Sequence, residues 1–193
     1  MQPSAAPRPD SSHRARPRLL ILGTRGIPAR HGGFETFAER LALHLVGRGW
    51  KVEVFCQDEP GESGPECWRG VRLRRVPVPW FGAKGSILFD WRAMRQARDG
   101  LLLTLGYNTA LFGVLARLRR LPNLINMDGV EWRRAKWPKP VRAWFWLNEW
   151  LGSRLGSHLI ADHPAIADHL ARPRRFGAAG RERITTIPYG ADA

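Results

Sequence analysis

The sequence predicts an α/β fold: a doubly wound, mostly parallel, Rossmann-like sheet of about seven strands. Three observations carry that prediction. Short apolar runs alternate with amphipathic segments of ten or more residues along the chain. Seven such strand candidates joined by crossover segments make a doubly wound sheet. The composition, 44% apolar and 25% charged over 193 residues, suits one globular domain and excludes a largely disordered chain or a small disulfide scaffold.

Taken in order, residues 1–17 are rich in Pro, Arg, Ser and Ala and read as a flexible basic tail. The apolar run behind them, Leu19–Leu22, is too short for a signal or a membrane span. The globular domain then covers residues 18–188. Strands are expected at Arg18–Leu22, Lys51–Phe55, Val71–Val76, Leu101–Leu105, Asn123–Met127, His158–Ala161 and Ile184–Ile187. The clearest helix follows the first strand, where Phe34, Phe37, Ala38, Leu41, Ala42 and Leu45 recur at spacings of three and four. Further helices are expected over Ser86–Arg98, Ala110–Arg120, Pro140–Leu155 and Pro164–Arg172, Pro140 and Pro164 suiting a first turn. The segment Gln57–Gly70 reads as a loop.

Charge is the outlier. Lys and Arg total 31 against 17 Asp and Glu, a formal +14, which calls for an anionic partner: nucleic acid, lipid headgroups or a phosphorylated small molecule. Much of the excess is Arg, which genome composition alone could produce. Cys56 and Cys67 are the only cysteines and are expected as reduced thiols in a cytoplasmic protein. The six histidines lack the three- or four-residue helical spacing of metal ligands, so no metal is expected.

The loop from Gly23 to Glu35 joins the first strand to the first helix, where open parallel sheets bind ligands. Gly32 and Gly33 remove side chains where the helix exposes its first N–H groups, an arrangement that favours an anion by about 0.3 to 1 kcal/mol when exposed. Arg25, Arg30 and His31 add donors. The spacing of Gly23 and Gly26 and the mid-strand position of Glu53 depart from the dinucleotide fingerprint and disfavour NAD.

The run GTRGIPARHGGFETFAERLA, Gly23–Ala42, resembles the N-terminal domain of bacterial family 4 glycosyltransferases, in particular the rhamnosyltransferase-like subgroup of polysaccharide assembly. The resemblance continues through LGYNTALF (Leu105–Phe112), NMDGVEWRRAKW (Asn126–Trp137), LIADHPAIADHL (Leu159–Leu170) and TTIPYGAD (Thr185–Asp192). It implies the acceptor-side half of a two-lobed GT-B enzyme. The expected activity is transfer of a hexose or deoxyhexose, rhamnose among them, from a nucleotide diphosphate sugar to a glycan or lipid-linked acceptor. That sugar nucleotide would be a co-substrate, with no further cofactor. Residues 189–193 would begin an interdomain linker with the donor domain absent, leaving the chain inactive alone unless a separate donor-binding lobe joins it.

By the same resemblance Gly32 and Gly33 would approach the donor diphosphate, with Arg25, Phe34 and Tyr189 among the substrate-binding residues. Glu35 would contact a sugar or serve as a first-turn carboxylate. Asp128 would orient the acceptor hydroxyl or act as its base, though an Asp-Gly turn is also an ordinary strand exit. Glu131 is a second catalytic candidate with Arg133 and Arg134 as rival partners, and Asn108 would bind a sugar hydroxyl or cap the next helix.

Five of the nine tryptophans lie between Trp132 and Trp150 among basic residues. On a helical wheel, Val141, Trp144, Phe145, Leu147, Leu151 and Leu155 form the expected core face. Arg142, Trp146, Trp150 and Arg154, with Glu149, take the opposite face, which would meet either an anionic inner membrane surface or a partner domain. No nucleic-acid-binding pattern accompanies them, so nucleic acid is not an expected partner. The rival to an enzyme is a non-catalytic module that keeps the fold and binds a glycan or anionic lipid.

Overall fold

The computed structural model describes residues 16–30, 32–172 and 180–188. Its strands are β1 (Arg18–Leu22), β2 (Lys51–Asp58), β3 (Cys67–Trp68), β4 (Val71–Pro77), β5 (Leu101–Leu105), β6 (Asn123–Met127), β7 (His158–Ala161) and β8 (Ile184–Thr186). They form one eight-stranded sheet in the order β3-β4-β2-β1-β5-β6-β7-β8. Every pairing is parallel except β3 with β4. The helices are α1 (Gly33–Gly47), α2 (Gly82–Gln96), α3 (Gly113–Leu118), α4 (Lys139–Leu155) and α5 (Pro164–Leu170).

The topology fixes where a ligand can sit. From β1 the chain moves outward to β2 and β4, then α2 carries it back past β1 to β5 on the other side. The strand order therefore reverses between β1 and β5, and the crevice outside their carboxyl ends is the ligand position of an open α/β sheet.

Alternation along the central strands divides the core. Leu19 and Ile21 face α1 and pack with Ala38, Ala42, Val52 and Val54. Leu20 and Leu22 face the other way, with Phe55, Leu102 and the α2 residues Phe89, Ala93 and Met94. A third cluster, Tyr107, Ala110, Ile125, Met127, Leu159 and Leu170, fills the β6–β7 side. Because β1 is buried on both faces, its sequence is apolar at consecutive positions, and this made the strand legible.

All seven expected strands are present, and the sheet adds β3. That two-residue strand lies in the segment expected to be a loop; a pair of residues carries no periodicity to read. The third helix is also shorter than expected, its first turn being the 3-10 turn Ala110–Phe112. Of the basic tail expected over residues 1–17, all but Arg16 and Pro17 lies outside the described residues, as does the linker start expected at 189–193.

The expected core face of α4 holds only in part, with Val141, Trp144, Phe145, Leu151 and Leu155 half-buried. Leu147 is an exposed large hydrophobic, and the buried residues of the helix are Asn148, Glu149 and Gly152. The physical reason is partner supply. Asn148 Oδ1 accepts from the Leu111 amide at 3.0 Å, and its Nδ2 donates to the Trp144 carbonyl at 3.0 Å. Glu149, placed by the wheel on the outer face, accepts from Trp132 Nε1 at 2.7 Å and lies 3.0 Å from His169 Nε2. Gly152 permits the close approach: a Cβ there would lie 3.3 Å from Ala110 Cβ and 3.6 Å from Met127 Sδ.

Candidate functional site at the carboxyl end of the sheet

The β1–α1 loop is built by two kinds of glycine. Gly23 has a φ of +79°, and a Cβ there would fall 2.2 Å from the Leu105 carbonyl oxygen, so only glycine lets the loop leave β1 against β5. Gly26, at φ +130°, sits against Cys56, 2.8 Å from where its Cβ would be. Gly32 and Gly33 differ, because a Cβ on either would meet no atom within 4 Å. Both are exposed, and Gly32 caps α1 in extended conformation without a side-chain hydrogen bond. Space therefore lies open beside the helix start, where peptide N–H groups and the helix dipole favour negative charge.

Side chains of α1 pin the rest of the loop. Glu39 Oε2 accepts from the Ala29 amide at 2.7 Å, and Glu35 Oε2 accepts from the Arg30 amide at 3.0 Å. The Gln57 amide donates to the Arg25 carbonyl at 2.9 Å. Glu35 is buried, 6% exposed, so its hydrogen bond to the loop goes beyond a simple first-turn carboxylate. Phe34 is half-buried and packs toward Gly106, whose Cβ position is 3.4 Å from the ring. Arg25 and Arg30 stay exposed. Glu53, in mid-strand on β2, is held by Arg18, Arg72 and Arg74, all of which pair with it.

Beyond β5, Tyr107 is fully buried and its hydroxyl accepts from the Glu131 amide at 2.9 Å. Burial pushes that phenol above its ordinary range. Asn108 is exposed. Its carbonyl accepts from Trp144 Nε1 at 2.8 Å, and Thr109 rather than Asn108 precedes the next helical turn, so the capping role is not taken up.

Asp128 follows β6 and Asp162 follows β7, in adjacent strands whose last paired residues are Met127 and Ala161. Each carboxylate has a buried Oδ1 with no hydrogen-bond partner. Burial, then the neighbouring Asp162 charge, pushes the Asp128 carboxyl up to about 6, and burial raises Asp162 as well. A carboxyl poised there can exchange a proton near neutral pH. Asp162 was missed in the sequence although it occupies the same strand-exit position in its motif as Asp128 does in NMDG.

Glu131 is committed to its own loop, one oxygen accepting from Trp137 Nε1 at 3.0 Å and the other 3.0 Å from Arg134 Nε. The structure thus brings Arg25, Gly32, Gly33, Phe34 and Glu35 to one side of the β1/β5 crevice, and Asn108, Asp128 and Glu131 to the other. Tyr189 and His31 lie outside the described residues.

On α4, Arg142 and Trp146 line a shallow groove with Trp132, Lys139 and Ala143. Trp146 is 44% exposed, Arg142 Nε donates to the Trp132 carbonyl at 2.7 Å, and Arg154 stacks over Trp150 at 4.3 Å. No helix among the described residues is long and apolar enough to cross a membrane.

A family model described as "Domain of unknown function (DUF1972)" matches residues 17–192. No curated protein matches the chain. Among solved structures, the crystal structure of LpCGTa in complex with UDP matches with a TM-score of 0.55 at 15% identity, over 90% of this chain and 54% of that one. The chain therefore spans about half the length of that protein, and the likeness establishes the shared Rossmann-like α/β fold.

Proposed function

Because the chain belongs to the DUF1972 family, whose description gives no activity, we propose from its geometry that it is the acceptor-side lobe of a glycosyltransferase. The reaction proposed is transfer of a hexose or deoxyhexose from a nucleotide diphosphate sugar to a glycan or lipid-linked acceptor. The observation that carries this reading is the open helix start at Gly32–Gly33, beside the strand-order reversal. A diphosphate held by a second lobe could approach main-chain amides there without meeting a side chain.

The likeness to a structure holding UDP, over about half of its length, supports the same reading. So do the five ordered motifs that resemble family 4 glycosyltransferases, which point to rhamnose as the first sugar to test.

In this scheme the leaving diphosphate gains charge as its bond to the sugar carbon breaks, and the α1 dipole with the bare amides at Gly32 and Gly33 offsets that charge. Asp128 orients the acceptor hydroxyl or receives its proton, a task suited to a carboxyl raised to about 6. Glu131 and Tyr107 hold the Asp128 loop in place. The groove at Arg142 and Trp146 would dock a lipid-linked acceptor at an anionic membrane surface, each basic residue near it contributing about 1 kcal/mol.

The test is a transfer assay with the chain combined with a nucleotide-binding lobe in trans. Sugar transfer by the combination, absent from either part alone, is expected; retained glycan binding without turnover from any nucleotide sugar would favour a non-catalytic module. For the membrane face, Trp146→Ala with Trp150→Ala is expected to reduce sedimentation with phosphatidylglycerol vesicles without unfolding the chain. Undiminished sedimentation would remove the docking role.

A further inference from the structure

A polar cleft of about 340 Å³ opens between the β1–α1 loop and the connection from β2 to β3. Arg25, Arg30 and Glu35 line one side, and Gln57, Glu62 and Ser63 line the other. No aromatic side chain lines it, which disfavours an apolar ligand and suits a hydroxyl-rich one.

The charges in the cleft are unequally committed. Glu35 accepts from the Arg30 amide, Glu62 Oε2 from the Glu59 amide at 3.2 Å, and Glu59 Oε1 from Gln57 Nε2 at 3.4 Å. Arg75, at the base, is paired with Asp58. Gly64 lies over that guanidinium so closely that a Cβ would come 2.7 Å from it. The guanidinium groups of Arg25 and Arg30 have no carboxylate partner among the described residues. The cleft thus sets two forked cations without a carboxylate partner alongside wall carboxylates that accept from neutral amides, a mixed lining that suits a ligand carrying one anionic group among several hydroxyls.

Position separates this cleft from the reacting end of an acceptor. It lies beyond the carboxyl ends of β1 and β2, while Asp128 follows β6, three strands from β2. At about 4.8 Å per strand that is roughly 14 Å across the sheet. We propose that the cleft is a remote subsite for an anionic sugar residue of an extended acceptor, its carboxylate or phosphate held by Arg25 and Arg30 and its hydroxyls by Gln57, Ser63 and the wall carboxylates. This rests on the glycosyltransferase reading and adds a substrate class to it: a charged oligosaccharide, whose remote residue supplies binding energy away from the reacting hydroxyl.

The experiment is an amide NMR titration of the ¹⁵N-labelled chain with D-glucuronate, D-glucose 6-phosphate, D-glucose and inorganic phosphate in parallel. One of the two anionic sugars is expected to shift amides in both loops, residues 25–30 and 57–65, and to bind about tenfold more tightly than glucose or phosphate. Whichever sugar does so identifies the charged group. Arg30→Gln is expected to weaken that binding by about fivefold or more, and Ser63→Tyr, at an exposed wall position, to block it.

Absence of shifts with both anionic sugars, equal binding of plain phosphate, or undiminished binding by both variants would overturn the proposal. A separate titration with UDP, read at Gly32 and Gly33, reports on the donor reading, so the loss of one leaves the other visible.

Discussion

Gly33 concentrates the functional argument at a single residue. A Cβ there meets no atom of the described residues beyond its chain neighbours within 4 Å, so Gly33→Val is expected to change stability by no more than about 0.5 kcal/mol while abolishing transfer in the reconstituted enzyme. Thermal melts paired with the transfer assay check both halves; unchanged turnover would contradict the phosphate role. Asp90 on α2 gives a second residue-scale test. Its Oδ2 accepts from Thr109 Oγ1 at 2.8 Å, and burial pushes the carboxyl from 3.8 up to about 6. Raising a folded-state acid pKa favours the neutral form, so the contribution to stability is full below pH 3.8 and is lost as pH rises through about 6. Asp90→Asn is therefore expected to stabilise the chain by about 2 kcal/mol at pH 7.5 and to have little effect at pH 3.5. Equal melting shifts at both pH values would contradict it. Asp90 does not announce itself in the sequence, and Asp162 shows there only its strand-exit position, because desolvation comes from segments far along the chain.

At the scale of elements, α1 and α4 show what a sequence pattern does and does not encode. The apolar stripe of α1 lies where its periodicity puts it, with Ala38 and Ala42 buried, because that helix packs apolar surface on apolar strands. The wheel for α4 misplaces Leu147 and Glu149 because the fully buried side chains, Asn148 and Glu149, are polar and hydrogen-bonded to groups that no local window contains. The consequence is measurable. Asn148→Ala leaves the part-buried Leu111 amide without its acceptor and is expected to destabilise by about 1 to 2 kcal/mol, whereas Leu147→Ala is expected to stay within about 0.5 kcal/mol. Urea unfolding of the two variants decides it; a larger loss at Leu147 would restore the apolar face. The central strands β1 and β5 were legible for the opposite reason, since burial on both faces writes itself as a near-continuous apolar run. β3 escaped because it is two residues of a hairpin.

For the whole molecule, the order of strands turns separate loops into one site. Gly32 and Gly33 follow β1, while Asp128 and Asp162 follow β6 and β7; the reversal between β1 and β5 opens the crevice between them. The glycine doublet and the Asp-Gly turn were visible as motifs, but their common position at the carboxyl end depends on which strands neighbour which. The polar cleft toward β2 depends on a loop with no motif of its own. The central claim, that the bare amides opening α1 receive a nucleotide diphosphate, is most directly tested by titrating the ¹⁵N-labelled chain with UDP. The account predicts shifts centred on the Gly32 and Gly33 amides that disappear in Gly33→Val. Shifts confined to other loops, or no shifts when the nucleotide-binding lobe is also present, would contradict it.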